Sequence, residues 1–173
     1  MSRALLAGGC FWCLEALFKR VKGVRKVTSG YAGCRRKNPT YEQVCTGTTQ
    51  CAEAVLIEYD PDIISYEDLL HIFFAVHDPT QLNRQGADIG TQYRSAIFAL
   101  NEEQERIAKE TIDELNPHFG NKIVTTIEDP KVFYPAEEYH QDYYDRNPHQ
   151  GYCQAVIAPK LHKFQELFKE YLK

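Results

Sequence analysis

Along the first two-thirds of this chain, apolar residues switch repeatedly between two spacings, and the order of the switches leaves few folds open. Residues 3–7 form a short apolar run that Gly8-Gly9 breaks, as a strand would be broken. Over 12–22, Leu14, Leu17, Phe18 and Val21 recur at helical spacing, and Gly23 can end the helix. Strands follow over 24–31 and 52–59, the second closed by Asp60-Pro61. Ser65, with Asp68 three residues on, starts a helix that Leu69, Leu70, Phe73 and Val76 carry to about His77. A strand over 92–100 completes the series. The order β-α-β-β-α-β is that of a split βαβ unit, so the expected fold is α+β: a ferredoxin-like α/β sandwich with helices over a mainly antiparallel sheet.

Beyond that unit, Asn101 and Gln104 cap a further helix through Ala108, Ile112 and Leu115. A strand is expected over 122–128, a short helix over 136–144, and a last helix over 161–172. Two stretches resist assignment: from Gly33 to Gln50, and from Asp78 to Thr91. Long loops inside a compact domain often carry function. With no linker, repeat or low-complexity tract, the 173 residues read as one domain, 1–173, large enough for a core of its own.

Composition narrows the function. A net charge of -4 with no long basic tract gives no electrostatic case for nucleic acid or an anionic membrane. No apolar run approaches the roughly 20 residues that span a bilayer. The first residues are too short for a signal peptide, which leads to the expectation of a cytoplasmic protein; a monomer is expected as well. Six cysteines (10, 13, 34, 45, 51 and 153) are many for that setting. In a reducing compartment they point to metal binding or redox chemistry rather than structural staples.

Cys10 stands out among them. It lies in Gly8-Gly9-Cys10-Phe11-Trp12-Cys13, where the first strand gives way to the first helix. Free N–H groups and the dipole at a helix start favour an anion, so the thiol is expected to have a depressed pKa and a nucleophilic sulfur. Phe11 and Trp12 follow where the chain leaves the sheet edge and would be exposed. Other readings stay open: Cys10 as a small core residue with Trp12 as a core anchor, or Cys10 and Cys13 as half of a zinc site. The zinc reading lacks a second pair at the right spacing. A third alternative is a general C-x-x-C thiol-disulfide oxidoreductase. In the strand 52–59, alternation puts Glu53 on the bulkier apolar face with Val55, Ile57 and Tyr59, where burial would raise its pKa. Pattern alone leaves a solvent-reaching Glu equally open.

The segment Gly9-Cys10-Phe11-Trp12-Cys13 resembles the signature of the A-type peptide methionine sulfoxide reductases. The likeness continues in order through Gly30-Tyr31-Ala32-Gly33, Asn38-Pro39-Thr40-Tyr41, Ala52-Glu53-Ala54-Val55 and His77-Asp78-Pro79-Thr80. Later come Gly90-Thr91-Gln92-Tyr93-Arg94, Tyr134-Pro135-Ala136-Glu137, His140-Gln141 and Gly151-Tyr152-Cys153. The resemblance implies reduction of the S epimer of methionine sulfoxide, protein-bound or free, as repair of oxidised proteins. It makes Cys10 the nucleophile and Glu53 the acid, with Tyr41, Tyr93 and Asp88 hydrogen-bonding the sulfoxide oxygen. Phe11 and Trp12 would form the pocket for the methyl group. Cys153 would resolve the sulfenic acid as a disulfide, with Cys13 as the local alternative, and thioredoxin would reduce that disulfide. No cofactor and no metal are implied.

The chain departs from the family pattern at three places. Gln50-Cys51 stand where relatives commonly have Gly-His, Cys34 replaces a glycine, and Ile89 takes a position that is often polar. Losing the histidine removes a neighbour of Glu53. Cys34 and Cys51 read either as tolerated substitutions or as a second redox pair.

Overall fold

The computed structural model describes residues 1–173. Its elements, in chain order, are β1 (Ser2–Ala7), α1 (Phe11–Phe18), β2 (Val24–Ala32), α2 (Tyr41–Cys45), β3 (Ala52–Tyr59), α3 (Tyr66–Val76), β4 (Arg84–Gln85), β5 (Asp88–Ile89), β6 (Ala96–Phe98), α4 (Glu102–Leu115), β7 (Thr126–Glu128), β8 (Tyr134–Pro135), α5 (Tyr143–Arg146) and α6 (Ala158–Leu167). Six strands share one sheet in the order β7-β6-β1-β3-β2-β8, while β4 and β5 pair apart from it. The central four, β6-β1-β3-β2, are each antiparallel to their neighbours, as in the expected split βαβ arrangement. β7 runs parallel to β6 at one edge, and β8 antiparallel to β2 at the other.

Strand alternation divides the sheet into two faces. Ala4 and Leu6 of β1, with Val55, Ile57 and Tyr59 of β3, join the main core with α1 and α3. Leu5, Ala7, Ala32, Ala52, Ala54, Ala96 and Phe98 form a smaller cluster on the opposite face, against Phe133. Glu53 shares its parity with Val55 and Ile57, so it points toward α1. The two clearest helix starts are built as their sequences specify. Ser65 Oγ accepts from the Asp68 N–H at 3.0 Å, and Asn101 Oδ1 accepts from the Gln104 N–H at 2.8 Å.

Elsewhere the structure corrects the sequence reading. α1 ends at Phe18 rather than 22; Val21 is buried all the same, in a single bridge to Leu172. The first long loop contains α2, capped reciprocally by Thr40 and Gln43. The second contains the β4–β5 ribbon, turned through Gly86 and Ala87. The strand expected over 92–100 is only Ala96–Phe98, because 91–93 winds into a tight 3₁₀ turn. The strand expected over 122–128 is confined to its end, and the helix expected over 136–144 breaks into a turn at Glu138–His140 and α5. The last helix starts earlier than expected: residues 151–167 are one helical run, widened at Cys153–Ile157.

Candidate active site

The turn from β1 into α1 is tight because Gly9 adopts φ 85°, in the left-handed region that glycine favours. Its N–H donates to the Tyr93 carbonyl at 3.3 Å, and a β-carbon there would meet Gln85 Cγ at 2.8 Å. Cys10 follows in extended backbone as the N-cap of α1. Its carbonyl accepts from the N–H groups of Cys13 at 3.1 Å and Leu14 at 3.4 Å. Cys10 is partly exposed and its thiol is free. Beside it lies a cavity of about 300 Å³ that Cys10 shares with Cys13, Asp88, Tyr152 and Lys160.

Glu53 reaches this helix start from beneath, across the sheet face. Its Oε1 accepts from the Phe11 N–H, the first of α1, at 3.2 Å. Oε2 is buried and has no hydrogen-bond partner. The residue is 1% exposed, and burial pushes its pKa up to about 8, with Asp88 adding to the rise and the Phe11 N–H opposing it. At neutral pH this carboxyl is therefore mostly protonated.

The expected acidity of Cys10 is reversed. Burial, followed by Glu53, raises the thiol well above its ordinary pKa, and the backbone at Trp12 only partly opposes this. A helix start contributes roughly half a charge. That is too little to offset a desolvated sulfur facing a carboxyl. Cys13, one turn on, is also buried and free, and burial raises its thiol to about 11.

Tyr41 begins α2 and is half-buried; its N–H donates to Glu137 Oε2 at 2.9 Å, while Glu137 Oε1 accepts from the Tyr31 hydroxyl at 2.8 Å. Tyr93 ends the 3₁₀ turn before β6. Burial and then Glu53 raise the pKa of both phenols, so both lie within electrostatic reach of that carboxyl. Asp88, on β5, accepts from the Tyr152 hydroxyl at 2.6 Å. The structure thus gathers Cys10, Glu53, Tyr41, Tyr93 and Asp88 from five separate places along the chain.

The two aromatics after Cys10 part company. Phe11 is fully buried, its ring 5.7 Å from that of Tyr31 and 5.2 Å from that of His140, so it is not exposed as expected. A helix start sends consecutive side chains in different directions, and Phe11 points into the core. Trp12 is half-buried and locked. Its Nε1 donates to His140 Nδ1 at 2.9 Å, and Tyr143 stacks on it at 3.7 Å and 7°. Burial lowers the pKa of His140, and with Nδ1 accepting, its proton sits on Nε2, which is buried without a partner.

Cys153 is free and fully buried, and its N–H donates to Gln150 Oε1 at 3.1 Å. It belongs to a helical run. Cys34 and Cys51 are joined as a disulfide. The one close group of metal-ligating side chains is Glu67, His71 and Glu114; it holds no cysteine and lies apart from this site.

The peptide methionine sulfoxide reductase family model matches residues 2–172. The chain belongs to this family. The peptide methionine sulfoxide reductase MsrA of a Nitratiruptor species is 74% identical over 170 residues, covering 98% of each chain. Reduced Mxr1 of Saccharomyces cerevisiae superimposes with a TM-score of 0.80 at 40% identity, covering 88% of each chain. Mxr1 solved in complex with Trx2 gives 0.57 at 30% identity, covering 82% of this chain and 84% of that one. No helix of the reductase is long and apolar enough to cross a membrane.

Four side chains of the reductase's site went unassigned in the sequence: Glu137, His140, Tyr143 and Tyr152. They reach the site from the irregular C-terminal third, where periodicity carries no information about long-range contacts. Only the family-like blocks at 134–137, 140–141 and 151–153 marked their neighbourhood.

Proposed function

We propose that this chain reduces the S epimer of methionine sulfoxide, protein-bound or free, with Cys10 as nucleophile and Glu53 as acid. One observation carries the reading: a buried, mostly protonated carboxyl with one unpartnered oxygen stands at the same helix start as a free thiol. Glu53 lends its proton to the sulfoxide oxygen as Cys10 sulfur attacks the substrate sulfur. Cys10 leaves as the sulfenic acid and the substrate as the thioether. The thiol proton of Cys10 restores the Glu53 carboxyl, so the carboxyl acts first as acid and then as base. Tyr41 and Tyr93 donate to the oxygen, and Asp88, which accepts from Tyr152, reaches it through a bridging water. Trp12, fixed by His140 and Tyr143, carries the methyl group, and Phe11 packs against the same His140 ring. Oxygen donors on one side and an indole on the other make the site handed, which favours one epimer.

The sulfenic acid is then resolved by a second thiol, with loss of water and formation of a disulfide. Cys153 takes this part in the proposal because its neighbour Tyr152 lines the same cavity as Cys10 and is tied to Asp88. Cys13 is the second reading, favoured by its place one turn along α1. Thioredoxin would reduce the disulfide, in keeping with the Trx2 complex of yeast Mxr1.

Incubation with a racemic sulfoxide and dithiothreitol, followed by chiral separation, tests the reading. Selective loss of the S form is expected, and Cys10→Ser should abolish it. Persistence of both epimers would remove the proposal.

A further inference from the structure

We infer that the Cys34–Cys51 disulfide is a redox-sensitive brace that holds Tyr41 in place at the sulfoxide site, distinct from any disulfide formed in turnover. The inference rests on the reading of Tyr41 as a group that binds the sulfoxide oxygen.

The bond sits where the sheet stops holding the chain. The β2–β3 ladder ends at the pair Ala32 and Ala52. Beyond it, Gly33 and Gln50 take left-handed backbone, with φ 69° and 58°, and the strands diverge into the segment that carries α2. Cys34 and Cys51 close that segment at its neck, their Cα atoms 4.1 Å apart. Inside the segment little else anchors it. From Arg35 to Gln50 only Val44 and Thr49 are buried. One backbone bond crosses the neck, from the Arg35 N–H to the Thr49 carbonyl at 2.9 Å. Tyr41 itself is tied to the rest of the fold by its N–H to Glu137 and by its ring, 4.3 Å from that of His140. A loop with so few apolar contacts opens at low free-energy cost, so a covalent neck decides how well Tyr41 is placed. Cys34 and Cys51 both pack in the main core with Val55 and Ile57, so the neck lies on the face of the sheet that carries Glu53.

A dithiol would open the brace. One of its thiolates attacks a sulfur of the pair to give a mixed disulfide. Its second thiol then closes the reductant's own disulfide, and two electrons and two protons pass to Cys34 and Cys51. Cys34 and Cys51 are 7% and 1% exposed, so the attack requires local opening first. The brace therefore outlasts many turnovers of a disulfide made by Cys10, and opens only under sustained dithiol reduction.

The test compares steady-state kinetics of the full chain, recycled by thioredoxin, with Cys34→Ala, Cys51→Ala and the double variant. Loss of one bond predicts the same change in all three: KM for the sulfoxide rises at least several-fold, with a smaller change in kcat. Wild type reduced for hours with dithiothreitol and assayed at once should show the same rise, which covers the case of a variant that folds poorly. Denaturing alkylation and peptide mass analysis should find Cys34 and Cys51 joined in the resting enzyme and during turnover. The inference is overturned if all four preparations keep the wild-type KM, or if both thiols alkylate freely in the resting enzyme. Failure of the underlying reading looks different: Tyr41→Phe, with its neck intact, would keep the wild-type KM.

Discussion

Replacing Glu53 with Gln should make the protein more stable and nearly inactive at once, and the structure sets the size of both effects. Glu53 is held protonated in the fold up to about pH 8, whereas in the unfolded chain it ionises near 4.5. Between those values the folded state binds more protons than the unfolded one, so this residue's contribution makes stability fall as pH rises. Each unit costs about 1.4 kcal/mol, which amounts to about 3 kcal/mol at pH 7 and about 5 kcal/mol above pH 8. Gln keeps the oxygen that accepts from the Phe11 N–H and has no charge to desolvate. The gap between variant and wild type should therefore be absent near pH 4 and widen steadily to pH 8. Glu15, whose pKa burial raises to about 7, is common to both proteins and cancels. Urea unfolding at several pH values reads the gap directly. Loss of the acid should lower kcat/KM by about 10²–10⁴-fold and remove the fall in activity above pH 8 that titration of Glu53 predicts for wild type. The thiol of Cys10, no longer facing a carboxyl, should also alkylate faster at pH 8 than in wild type. A gap that does not grow with pH, or a variant within tenfold of wild type, would refute the protonated acid.

Cys153→Ser should leave the first turnover with excess sulfoxide intact and block recycling by thioredoxin; undiminished recycling would transfer the resolving part to Cys13. Trp12→Phe removes the donor to His140 Nδ1 and strands a buried ring nitrogen, so a loss of about 1–3 kcal/mol is expected in denaturant melts, together with a raised KM. Removing the Cys34–Cys51 bond, which spans 17 residues, should cost about 3 kcal/mol through the entropy of the unfolded loop. At about 2–4 °C per kcal/mol, calorimetry should show Tm falling by roughly 6–12 °C.

What could be read from the sequence followed a physical line. β3 and α3 appear where their alternation and the Ser65 cap put them, because each reports burial of one face. The placement of Glu53 came from the same alternation. α2 was also within reach: Thr40 and Gln43 have the spacing of a capping box, but only Val44 of that helix is buried, so no apolar period announced it. Val21 kept helical spacing after the helix had ended, since a turn can bury a side chain as well as a helix can. The acidity of Cys10 was misjudged for a different reason. Sequence shows the helix start that would favour an anion, but not the depth of the sulfur or the carboxyl that meets it from β3. The partition of Phe11 from Trp12, and the support of Trp12 by His140 and Tyr143, depend on contacts between residues far apart in the chain, which no local spacing encodes.

The C-terminal segment is fastened at two points. Tyr152 is moored to Asp88, and near the chain's end Leu172 bridges to Val21, with the Lys173 N–H donating to the Arg20 carbonyl and the Lys22 N–H to the Tyr171 carbonyl. Whatever shift brings the Cys153 sulfur out of the core, this stretch can only bow between its moorings, like a strap lifted at the middle, and cannot peel away. In the proposed cycle the thiol then stays within a small volume around α1, and releasing either mooring should let it stray.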